Sequence, residues 1–192
     1  VATPAAIEQP SLVFSANFEY HPNIDAVNFL VSQIWPLVQA AHPELRLRLV
    51  GRGDAFVRHL IPPGLAIDVT GPVQDAFSEI ASARIVVAPL RAGSGTRIKI
   101  LEAWAAGRPV VATPLAAEGL DARDGDNILL ATSPVAFAEA IHRLLEHPEE
   151  RQRLGRGGRL NFEAQYTWQA AWGMLDAGLQ MPGCAHLNRY TE

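Results

Sequence analysis

The chain has 192 residues, 48% hydrophobic and 19% charged, with a formal net charge of −4, which makes it one domain large enough to bury a core. So small and negative a balance supplies no broad basic field, which argues against nucleic acid as a partner. Cys184 is the only cysteine, which excludes an internal disulfide and a cysteine-rich metal site, and no run approaches the roughly 18 apolar residues of a transmembrane segment.

Residues 1–10 read as a disordered stretch or linker, 11–178 as a single domain and 179–192 as a tail. Leu12-Val13-Phe14 predicts a buried strand. A helical stripe follows, with Ile24, Val27, Leu30, Val31, Ile34 and Val38 on one face, and Pro36 should kink it or mark its last turns. The next strand is 45–50, ended by Gly51 and Gly53, and a short helix lies near 54–60. A third strand is expected over 65–69, a turn at Gly71-Pro72, a helix over 74–83 and a strand over 85–88 stopped by Pro89. Residues 96–106 read as a helix closed by Gly107, 109–113 as a strand and 127–131 as a last short strand. Ser133-Pro134 supplies an N-cap followed by proline at the first helical position, opening a helix to about Glu146. From Pro148 to about Gly178 the pattern is helical again, with Arg151, Arg153, Arg156 and Arg159 expected on its exposed side.

Six short strands interleaved with helices predict an α/β domain, a doubly wound, Rossmann-like parallel sheet with helices on both faces. The strands are continuous apolar runs, as strands buried on both sides should be. In such sheets ligands bind at the carboxyl ends of the strands. The most unusual segment there is the loop that runs from Pro89 through Gly93-Ser94-Gly95-Thr96 into Arg97, Ile98, Lys99 and Glu102. It is not a dinucleotide fingerprint, since Ile98 stands where a third glycine belongs, and it is not a Walker A loop. Nor is it a nucleophile elbow, since Ala92 and Thr96 flank Ser94 where glycines should stand.

Gly93 and Gly95 would let backbone approach a ligand closely, and a helix N-terminus offers unpaired N–H groups to an anion. Lys99 is the one lysine among sixteen basic residues. With Arg97 it places two cations at the positive end of a helix dipole, a conflict of about 0.3–1 kcal/mol per charge that a bound diphosphate would remove. The alternative is that both side chains run along the surface and Lys99 pairs with Glu102 at i, i+3. Glu102 stands seven residues beyond Gly95, about 10 Å along a helix, where it could accept hydrogen bonds from sugar hydroxyls. His21, His42, His59 and His147 are expected on surfaces or helix ends and carry no assigned role.

The stretch GSGTRIKILEAWAAGRPVVAT, together with SANFEYHPNIDAVNFL, Leu49-Val50-Gly51, Val69-Thr70-Gly71 and Ala116-Ala117-Glu118-Gly119-Leu120, resembles the C-terminal domain of GT-B glycosyltransferases of the large retaining family 4, or group 1. The similarity runs from Leu12 to about Trp172. It implies the donor lobe of a two-lobed, metal-independent hexosyltransferase, acting in glycan, polysaccharide or glycolipid synthesis on an unidentified sugar, lipid or protein acceptor. The N-terminal lobe is missing from this chain, which lacks an initiator methionine and is expected to be an excised C-terminal half, inactive alone. VATPAAIEQP has neither a basic n-region nor an apolar h-region, so a cytoplasmic, at most membrane-peripheral, location is expected.

The donor implied is a UDP-, GDP- or ADP-linked sugar, a substrate and not a cofactor; no cofactor and no metal are expected. Relatives carry two glutamates eight positions apart. Glu102 takes the second position and with it the ribose, whereas Ser94 stands at the first. Asn17 and Asn23 stand in the region where relatives place an arginine and a lysine for the diphosphate. That role is therefore expected of Gly93, Ser94, Gly95, Thr96, Arg97 and Lys99, with Arg97 and Lys99 also stabilising the leaving group, and Val73 contacting the base. A degenerate lobe that only binds nucleotide or stabilises a partner is the alternative. Sugar-nucleotide epimerisation is a third reading that no specific residue favours.

Overall fold

The computed structural model describes residues 9–93, 97–170 and 172. Six strands form one parallel sheet: β1 (Gln9–Ser15), β2 (Arg46–Val50), β3 (Ile67–Gly71), β4 (Ala83–Ala88), β5 (Val110–Ala112) and β6 (Leu129–Leu130), in the order β3-β2-β1-β4-β5-β6. Leu12, Val13 and Phe14 of the central strand are completely buried, whereas Ile67 to Thr70 of β3, which has one strand neighbour, are half-buried. Apolar runs mark the inner strands because both of their faces are covered.

The helices are α1 (His21–Phe29), α2 (Trp35–Ala41), α3 (Ala55–Arg58), α4 (Ala76–Ser82), α5 (Ile98–Ala105), α6 (Pro134–Glu146) and α7 (Pro148–Gln165). α1 packs with α3 and α2 with α6, while α4 packs with α5 and α5 with α7. Right-handed crossovers require this division: steps from β1 toward β3 put their helices on one face, and steps toward β6 put theirs on the other. The order reverses between β1 and β4, where neighbouring loops diverge and open a crevice at the carboxyl edge.

Pro36 acts as expected. It lies in the first turn of α2, and the preceding Leu30–Ile34 segment widens into a π-helical turn in which the Trp35 N–H reaches Leu30 O. Proline has no N–H and crowds the preceding turn, and a widened turn relieves both effects. Ser133 caps α6 through its hydroxyl, which accepts from Ala136 N at 3.1 Å. Asp75 caps α4 in the same way, from Ser78 N.

Several boundaries differ from the sequence expectations. β3 begins at Ile67 and the helix expected over 74–83 is shorter, because Asp75 caps it. The helix expected from residue 96 begins at Ile98, with Arg97 at its N-cap. α7 ends at Gln165, helical conformation resumes at residues 168–170 and 172, and the rest of the stretch expected to reach Gly178 lies outside the described part, as do residues 1–8 and Cys184. Arg151 is not exposed: it is 8% accessible and donates from Nη1 to Leu144 O at 2.9 Å. Arg159 is half-buried and reaches Ala105 O on α5. These two arginines join α7 to its neighbours, which helical periodicity alone cannot distinguish from a solvated stripe. Gly158 allows the close approach of α7 to α5, since a Cβ there would stand 2.3 Å from Trp104 Cδ1.

Candidate functional site

The loops after β1, β2 and β4 meet at the crevice. After β1, Asn17 Oδ1 accepts from Glu19 N at 3.1 Å, and its carbonyl accepts from Asn23 Nδ2 at 2.7 Å. Asn23 is buried on α1. Its remaining amide oxygen faces Lys99 Nζ at 3.5 Å, so a polar chain ties the β1 loop through α1 to the first turn of α5. The asparagines that stand in the region of the expected basic residues therefore position the cation that α5 supplies.

Lys99 is half-buried, with its ammonium 6.0 Å from the Phe14 ring centroid. Burial, and then the positive charge of Arg97, hold its pKa below the ordinary lysine value, while Glu102 pulls the other way. Glu102, one turn further along α5, has its pKa raised by burial, with Lys99 opposing. Each of these charges is only partly compensated, which is the condition of groups set to meet a charged ligand. The hydrogen bond of Lys99 goes to Asn23, and Glu102 acts on it through space. That disfavours the simple surface pair.

Two depressions share Lys99. The larger, about 300 Å³, is walled by Asn17, Gly51, Arg52, Ala76, Lys99 and Glu102. The smaller, about 180 Å³, is walled by Tyr20, Asn23, Ala92, Gly93, Arg97 and Lys99. A ligand occupying both would lie against the Lys99 side chain. A larger cleft, about 700 Å³, lies elsewhere, at the junction of α6 and α7. Its one arginine is already held there, with Arg143 Nε on Glu150 Oε2 at 2.7 Å, and Arg153 also stands beside Glu150.

Among the expected site residues, Gly93, Arg97, Lys99 and Glu102 gather at this edge, and Ser94, Gly95 and Thr96 lie outside the described residues. Gly93 adopts φ 108°, a conformation that favours glycine. Arg97 does not stand in the first helical turn as expected. It caps α5 with 7% of its side chain exposed, and donates from Nη2 to Glu118 Oε2 at 3.1 Å and from Nε to Glu118 O at 3.4 Å. Val73 packs against the core, and its neighbour Ala76 lines the larger depression in its place. Sequence reasoning passed over Arg52, although its place between two glycines at a strand end is a signal for a ligand loop. No helix among the described residues is long and apolar enough to cross a membrane.

The sequence profile described as "Glycosyl transferases group 1" matches residues 9–147. Over 151 residues the chain is 30% identical to a GDP-mannose-dependent monoacylated alpha-(1-6)-phosphatidylinositol monomannoside mannosyltransferase of Corynebacterium glutamicum, covering 70% of this chain and 38% of that protein. The chain thus spans well under half the length of the curated relatives it matches. Among solved structures, the C-terminal domain of a glycosyl transferase group 1 family protein from Francisella tularensis superposes with a TM-score of 0.66 at 17% identity, over 85% of this chain and 89% of that domain. HepE of Anabaena, in complex with UDP and glucose, superposes with a TM-score of 0.71 at 16% identity, over 91% of this chain and 49% of that one.

Proposed function

The chain belongs to the group 1 glycosyl transferases, and from that premise we propose that it is the donor-binding lobe of a retaining, metal-independent sugar transferase of GT-B architecture. The observation that carries this reading is the placement of Lys99 and Glu102 on one depression at the strand-order reversal between β1 and β4, where doubly wound sheets bind nucleotides. Glu102 accepts from ribose hydroxyls. Lys99, shared by the two depressions, faces the diphosphate, and the sugar extends along the Gly93 loop in the smaller depression.

In the transfer step the bond between the sugar C1 and the phosphate oxygen breaks, and its electron pair goes to the departing diphosphate. An acceptor oxygen bonds to C1 on the same face and gives up its proton to the departing phosphate oxygen. The barrier falls most where the growing negative charge meets fixed donors. Lys99 supplies one, and the Arg97 cation stands behind it. The donor is a GDP-, UDP- or ADP-linked sugar; the relative named for GDP-mannose and the neighbour holding UDP support a nucleoside diphosphate. A second lobe, absent here, supplies the acceptor side, so the chain alone transfers no sugar. Ser94, in place of the first of the family's paired glutamates, favours a second reading: a lobe that binds nucleotide without supporting transfer.

Calorimetric titration with GDP, UDP, ADP and pyrophosphate tests donor binding. The expected result is binding of at least one nucleoside diphosphate more tightly than pyrophosphate, weakening as salt rises. No binding by any of them would defeat both readings. Transfer by the longer protein, measured with a donor that binds, separates the catalytic reading from the binding-only one.

A further inference from the structure

The wall of the larger depression that faces α5 carries a cation that the donor-lobe reading leaves without a task. Arg52 stands at the end of β2 between Gly51 and Gly53. A Cβ on Gly51 would fall 1.9 Å from Ala16 O, and one on Gly53 2.8 Å from Glu19 N. The β2 loop therefore packs on the β1 loop at backbone distance. Arg52 O accepts from Phe18 N at 2.9 Å, which pins its main chain. Its guanidinium, by contrast, is held loosely. Among the described residues its guanidinium meets only Glu19, with Nε 3.7 Å from Oε2, beyond hydrogen-bond length, and both side chains are more than half exposed. A fixed backbone thus carries a fork of donors over the depression whose other wall is Lys99 and Glu102.

Resting on the donor-lobe reading, we propose that Arg52 leaves Glu19 to read the base of the bound nucleotide and selects guanine over adenine. With the ribose on Glu102 and the phosphates at Lys99, the base is the part left to occupy this depression beside the β2 loop. The guanidinium fork matches the adjacent O6 and N7 acceptors of guanine. Adenine presents N7 beside an amino donor, which the fork cannot satisfy. Uracil offers a single oxo acceptor on that edge and falls between the two. Glu19 acts as the counter-ion of the empty site and competes weakly with the base.

The test is calorimetry of the wild-type chain and the variants R52A, R52K, E19Q, R52A/E19Q and K99M with GDP, ADP and pyrophosphate. Wild type prefers GDP to ADP. R52A weakens GDP about tenfold, changes ADP less than twofold and leaves pyrophosphate alone, and R52K does not restore GDP, because an ammonium cannot pair bidentately. E19Q tightens GDP about twofold, and only while Arg52 is present. An unchanged ratio of GDP to ADP affinity in R52A overturns the proposal, as does an equal loss for pyrophosphate, which would make Arg52 a phosphate contact. In either case K99M, by weakening all three ligands, leaves the donor-lobe reading standing. If the wild type binds no nucleotide, that reading fails and this one with it.

Discussion

Replacing Lys99 by methionine should move ligand binding and folding stability in opposite directions. Methionine keeps the length of the side chain and its contact with Phe14 but removes the charge. A charge-assisted hydrogen bond to phosphate contributes about 1.5–3 kcal/mol, so affinity for a nucleoside diphosphate should fall roughly tenfold or more. On the stability side, the cation sits in the first turn of α5, where the dipole opposes it by about 0.3–1 kcal/mol, and burial adds to that cost. Its hydrogen bond to Asn23 is 3.5 Å long, at the limit of such bonds, and Asn23 lines the smaller depression, where water can take the place of the ammonium, so its loss costs about 0.5 kcal/mol. The balance leaves the variant as stable as the wild type or more so, with a Tm rise of up to a few degrees. Because the native pKa of Lys99 is depressed, the unfolded chain holds a proton that the native chain gives up between the depressed and the ordinary lysine value. The wild type therefore regains stability as pH rises through that window, and its gap to the variant should narrow there. Titration calorimetry and thermal unfolding on the same two proteins supply the data. Unchanged affinity, or a parallel fall in affinity and Tm, would refute the reasoning.

Three further substitutions follow from the same geometry. Gly158→Ala drives a methyl group to 2.3 Å from Trp104 Cδ1, beside the indole N–H that donates to Asn127 O. Overpacking of about 1–3 kcal/mol exceeds the gain of up to about 1 kcal/mol in helix propensity, so thermal unfolding should show a lower Tm and altered tryptophan fluorescence. Glu102→Gln should weaken GDP or UDP binding more than pyrophosphate binding in calorimetry. The raised pKa of Glu102 means that its charged form opposes folding once pH rises through the native value, so unfolding near neutral pH should find the variant at least as stable as the wild type. Glu118→Ala leaves the buried Arg97, among the described residues, with only the residue-118 carbonyl to donate to; denaturant unfolding should show a loss of about 1–3 kcal/mol.

The sheet was legible because its strands are short apolar runs separated by glycine, proline and caps, signals that are local. Their ends were less so, since Asp75 decides where α4 begins by capping Ser78 N, and Arg97, at the N-cap position of α5, turns its side chain to Glu118 instead. Lys99 and Glu102 could be found because one turn of one helix holds both. Three other features depend on contacts between distant segments. Asn23 reaches Lys99 across 76 residues and Arg97 reaches Glu118 across 21. Arg52 comes beside Glu19 only when β1 and β2 pair. Arg151 looked solvated for a related reason: its partner is a carbonyl at the end of the preceding helix, which side-chain periodicity does not register.

The central claim is that the crevice between β1 and β4 holds a nucleoside diphosphate with its ribose on Glu102 and its phosphates on Lys99. A crystal structure of the chain soaked with GDP or UDP tests it most directly. The account predicts ribose hydroxyls within hydrogen-bond distance of the Glu102 carboxylate and a phosphate oxygen on Lys99 Nζ. Nucleotide bound instead in the cleft between α6 and α7, or a crevice left empty at saturating nucleotide, would contradict it.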